Sequence, residues 1–154
     1  MGALPGPSGL IGASIRTKIR RWQFDLTGCW LPIQRSEQSG GSRASYTMGW
    51  SRFRIGMPFR LSRWTLMPAL GVEAGAIQGR GHDLDINQRS SLPWMAIPVS
   101  FEFEFQLSQL MSLGAAVESA FAVVRPRFVQ NFLQVHRSRV FDLRAVAQVF
   151  FAIP

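Results

Sequence analysis

His136 and Ser138 are the two residues in this chain whose types and spacing best suit acyl-transfer chemistry. On a strand, residues two apart share a face, so the imidazole could act as a base for the neighbouring hydroxyl. Such a pair also needs a carboxylate to orient the imidazole. Only Asp142 lies nearby, and no Gly-x-Ser-x-Gly motif is present. The sequence therefore predicts that the protein is not an enzyme, and lipid hydrolysis is kept as a minor alternative.

Two acidic groups could support other chemistry. Glu102 and Glu104 share a strand face and could act as a general acid and a general base. His82, Asp83 and Asp85 could bind a cation weakly through one imidazole and two carboxylates. Carboxylates on a barrel-like strand more often pair with arginines, and polar residues in a loop are more often solvated. We therefore predict no catalytic residue, no metal ion and no cofactor.

The segment Met95 to Gln106 shows which kind of element carries these carboxylates. Its odd positions are all apolar and end in three phenylalanines, whereas its even positions include Glu102 and Glu104. Strict period-two alternation is the pattern of a β-strand with one apolar and one polar face. A tilted strand needs about 9–11 residues to cross a bilayer, and this segment has that length. It therefore predicts a strand that separates lipid from a polar interior.

The same alternation predicts six further long strands. They are Leu10 to Ile19, Trp22 to Trp30, Arg43 to Met57, Trp64 to Ala76, Met111 to Ala122 and Phe141 to Phe151. In Arg43 to Met57, the even positions are apolar from Tyr46 to Trp50, but the next two even positions are Arg52 and Arg54. An extra residue in a strand reverses the parity beyond it, so we predict a β-bulge near Gly49 to Arg52.

Short turns alternate with long loops along the chain. We expect turns at 19–21, 61–63 and 107–109, loops at 34–42, 79–93 and about 125–139, and a strand end at Leu31-Pro32. Bacterial outer-membrane barrels have this arrangement, with turns in the periplasm and loops outside. The predicted fold is an all-β, antiparallel, up-and-down transmembrane β-barrel of about eight strands. It forms a single domain, residues 1–154, in the outer membrane of a Gram-negative cell.

The two strand faces receive different residues. The outward apolar face is expected to carry aromatic girdles at the two membrane interfaces, formed by Trp22, Trp30, Tyr46, Trp64, Phe105, Phe121, Phe141 and Phe151. The inward face is expected to carry a charge network of Arg16, Lys18, Arg21, Asp25, Glu73, Glu102, Glu104, Glu118, Asp142 and Arg144. An eight-stranded barrel is just wide enough for side chains to fill it. The charges are therefore expected to pair and plug the lumen.

The number of strands is one short for a closed barrel. With seven strands the first and the last run in the same direction, whereas bacterial barrels have an even number. We expect the further strand directly upstream of Gly2 to Pro7, in a longer reading frame. The alternative is that Phe128 to Val135 completes the count.

Charge limits the classes of partner. The chain has 17 basic and 9 acidic residues, a net charge of +8, and every basic residue except Lys18 is arginine. The arginines are dispersed over strand ends and loops without stacking aromatics, which argues against nucleic acid. Anionic head groups of outer-membrane lipid and lipopolysaccharide are the expected partners of a monomeric barrel. No apolar stretch is long enough to form a transmembrane helix.

Several short motifs give the chain a family resemblance. They are Leu4-Pro5-Gly6-Pro7, Trp22 with Leu31-Pro32, Leu70 to Gly75 followed by Gly79-Arg80-Gly81, Pro93 to Ala96, and Arg125 to Phe128. On these motifs the chain resembles the small outer-membrane β-barrel proteins of uncharacterised function that are abundant in myxobacterial-type genomes. The resemblance spans nearly the whole chain and implies a barrel fold and an outer-membrane location, but no activity.

A soluble barrel of the lipocalin type is the alternative from another class. In that arrangement the phenylalanine face would turn inward around a hydrophobic ligand. Small residues such as Gly71, Gly75 and Gly114 would then face solvent, and Trp22 and Trp64 would crowd the mouths of the barrel. We therefore favour the outward orientation of the apolar face.

Overall fold

Ten β-strands and no helix make up the described part of the computed structural model, which is residues 11–37, 43–82, 89–124, 127–130, 133–137 and 140–151. The strands are β1 (Ile11–Ile19), β2 (Trp22–Glu37), β3 (Arg43–Gly56), β4 (Phe59–Leu61), β5 (Trp64–His82), β6 (Arg89–Gln106), β7 (Met111–Val124), β8 (Arg127–Gln130), β9 (Leu133–Arg137) and β10 (Phe141–Phe151). The all-β class that the alternating pattern predicts is confirmed.

Seven long strands form one antiparallel sheet in the order of the chain. The pairing order is β1-β2-β3-β5-β6-β7-β10, with the short β4 paired to the start of β5. Each strand therefore lies beside its neighbour in sequence, which confirms the up-and-down topology. β8 and β9 pair with each other in a separate two-stranded sheet. The alternative in which Phe128 to Val135 completes the main sheet is wrong, because the described residues of this segment belong to the separate sheet of β8 and β9.

Tight turns connect the strands at one end of the sheet, which we call the turn end. Two-residue turns join β1 to β2 and β4 to β5, and their first residues, Arg20 and Ser62, have φ values of 56° and 58°. A positive φ at this position gives the turn the twist that paired strands require. The short connections predicted at 19–21, 61–63 and 107–109 are confirmed.

At the opposite end, which we call the loop end, the strands are longer than the sequence pattern indicates. β2 continues past Leu31-Pro32 to Glu37, with a register irregularity between Leu31 and Gln34. β5 and β6 also stay paired far into the predicted loop 79–93. Backbone hydrogen bonds between strands do not need alternating side chains, so these extensions leave no periodic signal. The predicted strand end is therefore wrong, and so are the predicted loops at 34–37, 79–82 and 89–93, whereas residues 38–42 and 83–88 lie outside the described part.

β3 has no bulge near Gly49 to Arg52, so that prediction is also wrong. The strand keeps one register with β5 along its whole length. Trp50, Arg52 and Arg54 are all buried, and Phe53 between them is exposed. Alternate residues of β3 therefore point inward without interruption. Large aromatic side chains and arginines share the interior of this sheet.

The main sheet curls until its opposite walls touch. Ion pairs cross the interior from β1 to β6, from β3 to β7 and from β5 to β10. In a closed barrel of eight strands, the fourth strand along lies opposite the first, and β6 is the fourth strand after β1 in this sheet. The curvature is therefore that of a small β-barrel. β1 and β10 are not paired with each other, so the curled sheet has an open seam between them.

Candidate functional site in the barrel interior

Strand parity separates an apolar outer face from a polar interior. On β6, Phe101 and Phe103 are 52% and 50% exposed, whereas Ser100 and Glu102 are each 1% exposed. β7 and β10 show the same alternation of exposed apolar and buried side chains. In soluble domains charged residues are almost never fully buried unless they are paired, and large apolar residues are inside. The polarity of this sheet is inverted, as the alternation in Met95 to Gln106 predicts.

Arg54 lies at the centre of the interior and is 1% exposed. Its Nη2 atom lies 2.9 Å from Asp25 Oδ2 and 3.2 Å from Glu102 Oε2. Its Nη1 atom lies 3.3 Å from Glu118 Oε1 and donates a hydrogen bond to Ser100 Oγ. One guanidinium on β3 thus holds carboxylates from β2, β6 and β7. Such charge-assisted bonds are stronger than neutral ones, and here they tie four strands together.

Arg16 brings β1 into the same network. Its Nη2 atom lies 2.6 Å from Glu102 Oε1 and 3.1 Å from Asp25 Oδ2, and its Nη1 atom lies 3.1 Å from Glu104 Oε2. The guanidinium also lies 4.0 Å from the centre of the Phe150 ring on β10, within the range of a cation–π interaction. Glu102 and Glu104 therefore act as partners of arginine, in the structural role that their spacing favours over acid–base catalysis.

Arg144 and Arg52 form a second group of ion pairs beside the first. Arg144 Nη1 lies 2.9 Å from Glu73 Oε1, and Arg144 Nε donates to Asp142 Oδ2 at 2.8 Å. Arg52 Nη1 lies 2.5 Å from Glu118 Oε2 and 3.9 Å from Glu73 Oε1. Arg52 thereby connects the two groups. Charged side chains thus bridge the walls of the lumen from β1 round to β10.

An apolar layer lies in the same interior, next to the ion pairs. Trp50 and Trp94 meet edge to face with their ring centres 6.2 Å apart. The guanidinium of Arg144 lies 5.5 Å and 5.7 Å from these two rings, which links the apolar layer to the charges. Tyr46 and Met48 are buried in the same layer. The described interior therefore contains two layers of side chains, one charged and one mainly aromatic, and open space remains beside them along β1 and β10.

Eight of the ten predicted interior charges belong to this network. They are Arg16, Asp25, Glu73, Glu102, Glu104, Glu118, Asp142 and Arg144. Lys18 and Arg21 do not, because both are exposed near the turn end and take no part in ion pairs among the described residues. Arg21 lies in the turn after β1, where strand parity no longer directs a side chain inward, and its guanidinium is 5.5 Å from the Trp22 ring.

Arg52 and Arg54 are the interior residues that the sequence prediction misses. They alternate with Phe53 and Ile55 in the same way that Glu102 and Glu104 alternate with phenylalanines. That local signal could have placed both arginines inside. The prediction misses this signal because it assumes that aromatic residues face outward. Trp50 lies on the same face of the strand as Arg52 and Arg54, so the prediction places Trp50 outside and explains the two arginines by a bulge.

Seven of the eight predicted girdle aromatics lie on the outer face, fully or partly exposed. They are Trp22, Trp30, Trp64, Phe105, Phe121, Phe141 and Phe151. The Trp64 and Phe105 rings pack together with centres 4.7 Å apart at the turn end. The assignment of Tyr46 is wrong: it is 3% exposed and lies inside, because the parity of β3 is not broken by a bulge.

Charge on the surface of the turn end is entirely basic among the described residues. The exposed cations there are Lys18, Arg20, Arg21, Arg60 and Arg63. No described carboxylate is in the exposed class, and the most accessible one, Glu104, is 23% exposed and paired with Arg16. The acidic side chains are used inside the sheet, so the turn end keeps an uncompensated positive charge next to Trp22 and Trp64.

The catalytic and cation-binding candidates fall outside the part that the structure describes. This applies to the side chains of His82 and His136 and to Ser138, Asp83 and Asp85. Within the described ranges, no group of three His, Cys, Asp or Glu residues could hold a metal ion. No helix among those residues is long and apolar enough to cross a membrane.

Comparison with protein-family models, curated proteins and solved structures finds no match to this chain. Its function is therefore inferred from three physical features. These are the apolar outer face, the interior filled by ion pairs and aromatic rings, and the basic turn end.

Proposed function

We propose that the protein is an integral outer-membrane β-barrel protein with a structural or binding role, a plugged and charged lumen, and no catalytic activity. The apolar outer face carries this proposal. Large hydrophobic side chains are exposed on all seven strands of the main sheet, from Ile11 and Ile15 on β1 to Val149 and Phe151 on β10. Monomeric soluble proteins rarely expose a contiguous apolar patch larger than a few hundred Å². A hydrocarbon environment removes the cost of that exposure.

The interior favours the membrane barrel over the lipocalin-type alternative. A lipocalin needs an apolar cavity for its ligand, and the phenylalanines of β6 would have to line it. Instead Phe101 and Phe103 point outward, and the space inside holds Arg54, Glu102 and Glu118. Burying such charges is tolerable only when they are paired and hydrogen-bonded, and here Nη1 and Nη2 of Arg54 meet the carboxylates while its Nε has no partner among the described residues. The phenylalanines of β6 therefore do not line a cavity for a hydrophobic ligand, and the lumen beside them is charged.

The basic turn end fits lipid head groups as the partner of a monomeric barrel. Trp22 and Trp64 on the outer face are next to exposed Arg21 and Arg63. Amphipathic aromatic rings collect at membrane interfaces, and arginines beside them can bind the phosphates of phospholipids in the periplasmic leaflet. Each basic side chain near an anionic membrane surface contributes on the order of 1 kcal/mol to the attraction.

The protein is expected to require detergent or lipid for folding. In buffer it should aggregate, because its apolar outer face would meet water. In neutral phosphatidylcholine vesicles it should refold into a β-rich, protease-protected form that floats with the vesicles. Circular dichroism, protease digestion and flotation measure these properties. A monodisperse, β-rich protein in buffer without detergent would instead support the soluble barrel.

The reconstituted protein is expected to conduct poorly. Ion pairs join opposite walls at the level of Arg54 and Arg144, and the Trp50 and Trp94 rings lie beside them. A path for hydrated ions through the centre of the lumen would have to separate these groups, and the remaining space lies along the edges β1 and β10. Planar-bilayer recordings should therefore lack large, stable steps of the kind that porins produce. Such steps at neutral pH would contradict the plugged lumen.

A further inference from the structure

The two edges of the main sheet, β1 and β10, each lack a backbone partner on their free side within the described structure. β1 pairs only with β2, and β10 pairs only with β7. Because the seven strands alternate in direction, the two free edges run the same way. Direct closure would create one parallel pair in an otherwise antiparallel sheet. One additional strand between them would be antiparallel to both edges.

One side-chain contact across the seam is compatible with a gap of about one strand. The Arg16 guanidinium on β1 reaches the Phe150 ring on β10 at 4.0 Å. Strands separated by one intervening strand are about 9.6 Å apart, and long inward side chains span that distance. A cavity of about 1160 Å³ extends from the lumen to the seam. Residues 12–18 and 145–151 line it at the two edges, and Met48, Trp50 and Glu118 line it on the lumen side. Consecutive residues on a strand point to both faces, so this space passes between the two backbone edges.

We propose that this seam is the binding site for one antiparallel β-strand, joined to the chain ahead of β1, which closes an eight-stranded barrel. The connection follows from the sheet order, since every long strand in the main sheet is paired with the next long strand along the chain. The strand would pair with the nine residues of β1 and with β10. This inference rests on the proposed function in one respect: in hydrocarbon, each unsatisfied edge group costs several kcal/mol.

The chemistry of the strand follows from its surroundings. On the outside it would lie between the exposed Ile15 and Val149, which requires apolar residues at alternate positions. On the inside it would face a lumen in which six described carboxylates meet four arginines. Small or basic inward side chains therefore complement the interior, whereas acidic ones would add to the excess of negative charge.

A second copy of the chain is a poorer occupant of the seam. Two copies joined edge to edge would form a sheet of fourteen long strands with a much wider lumen. That widening would separate Arg16 from Glu102, which lie 2.6 Å apart across the curled sheet. The interior ion pairs thus specify the narrow seam that one strand fills.

The test adds a strand of known sequence to the full chain. A copy of residues 111–121, with Glu118→Arg in the copy, is placed ahead of Met1, so that residues 1–10 serve as the connection. β7 is a suitable donor because it already pairs with β10. The matched control has the same extension with Ala115, Val117 and Ser119 of the copy replaced by proline, which cannot donate backbone hydrogen bonds. All three chains are refolded in micelles and vesicles.

The strand-extended chain is expected to be digested by protease at least about tenfold more slowly than the chain without the extension, since one recovered buried backbone bond exceeds 1.4 kcal/mol in hydrocarbon. The proline control should resemble the unextended chain. Equal protection of all three chains would overturn the proposal, as would a dimer of the unextended chain by light scattering in detergent. Flotation with vesicles is scored separately, so a soluble but strand-protected protein would contradict the proposed membrane location and not the seam.

Discussion

Replacing Arg54 with methionine is expected to lower the free energy of unfolding in detergent by about 3–5 kcal/mol, the usual cost of removing one partner from a buried ion pair. Methionine fills much of the same volume as arginine. The lost free energy of unfolding therefore measures the removal of the charge more than the creation of a cavity. The substitution leaves Asp25, Glu102 and Glu118 without their shared guanidinium. Denaturant unfolding followed by tryptophan fluorescence measures the effect.

Arg63→Met is the matched control, because Arg63 is exposed in the turn between β4 and β5. Its effect should stay within about 0.5 kcal/mol, as is usual for surface substitutions. Adding Glu118→Gln to Arg54→Met should recover part of the lost stability, since one of the three uncompensated charges is removed. If Arg54→Met and Arg63→Met cost the same, Arg54 does not hold the interior together.

Phe103→Arg is expected to impair folding into lipid vesicles by about 2–4 kcal/mol, the cost of an arginine near the midplane on the lipid face of a barrel. Phe103 lies on the outer face of β6 and is half exposed. The neighbouring Glu104→Gln should have a much smaller effect. It removes only one of the three carboxylates that contact Arg16, and Glu104 is partly exposed. Refolding yield is measured by heat-modifiable gel migration.

The two substitutions also separate the membrane barrel from a soluble one. On the surface of a soluble protein, Phe103→Arg would replace an exposed apolar side chain by a charged one and improve solubility. In a membrane barrel it lowers the folding yield in vesicles. Equal effects of Phe103→Arg and Glu104→Gln in vesicles would contradict the assignment of the two faces of β6.

Much of the fold could be predicted because successive residues on a strand point to opposite faces, so each face takes every second residue. Met95 to Gln106 and Phe141 to Phe151 read directly as strands with apolar outer and polar inner sides, and the structure confirms both. The loop end could not be predicted. β2 and β5 extend to Glu37 and His82 through backbone pairing, which leaves no period-two pattern in the side chains.

The sequence by itself determined the class of the fold, the order of its strands and the inward position of Asp25, Glu73, Glu102 and Glu118. Period-two alternation is local, so each strand carries that information within its own residues. Only the tertiary structure decided that Tyr46 lies inside, because an aromatic residue can occupy either face of a strand.

The ion pairs and the seam were likewise decided by the curled sheet. Arg16 meets Glu102 across 86 positions of sequence, and Arg144 meets Glu73 across 71. Such contacts depend on the register and the curvature of all the strands that lie between the two residues. No local sequence pattern specifies that combined geometry. The pairing of β8 with β9 and the unpaired edges of β1 and β10 arise in the same way, from which backbone edges the folded sheet brings together.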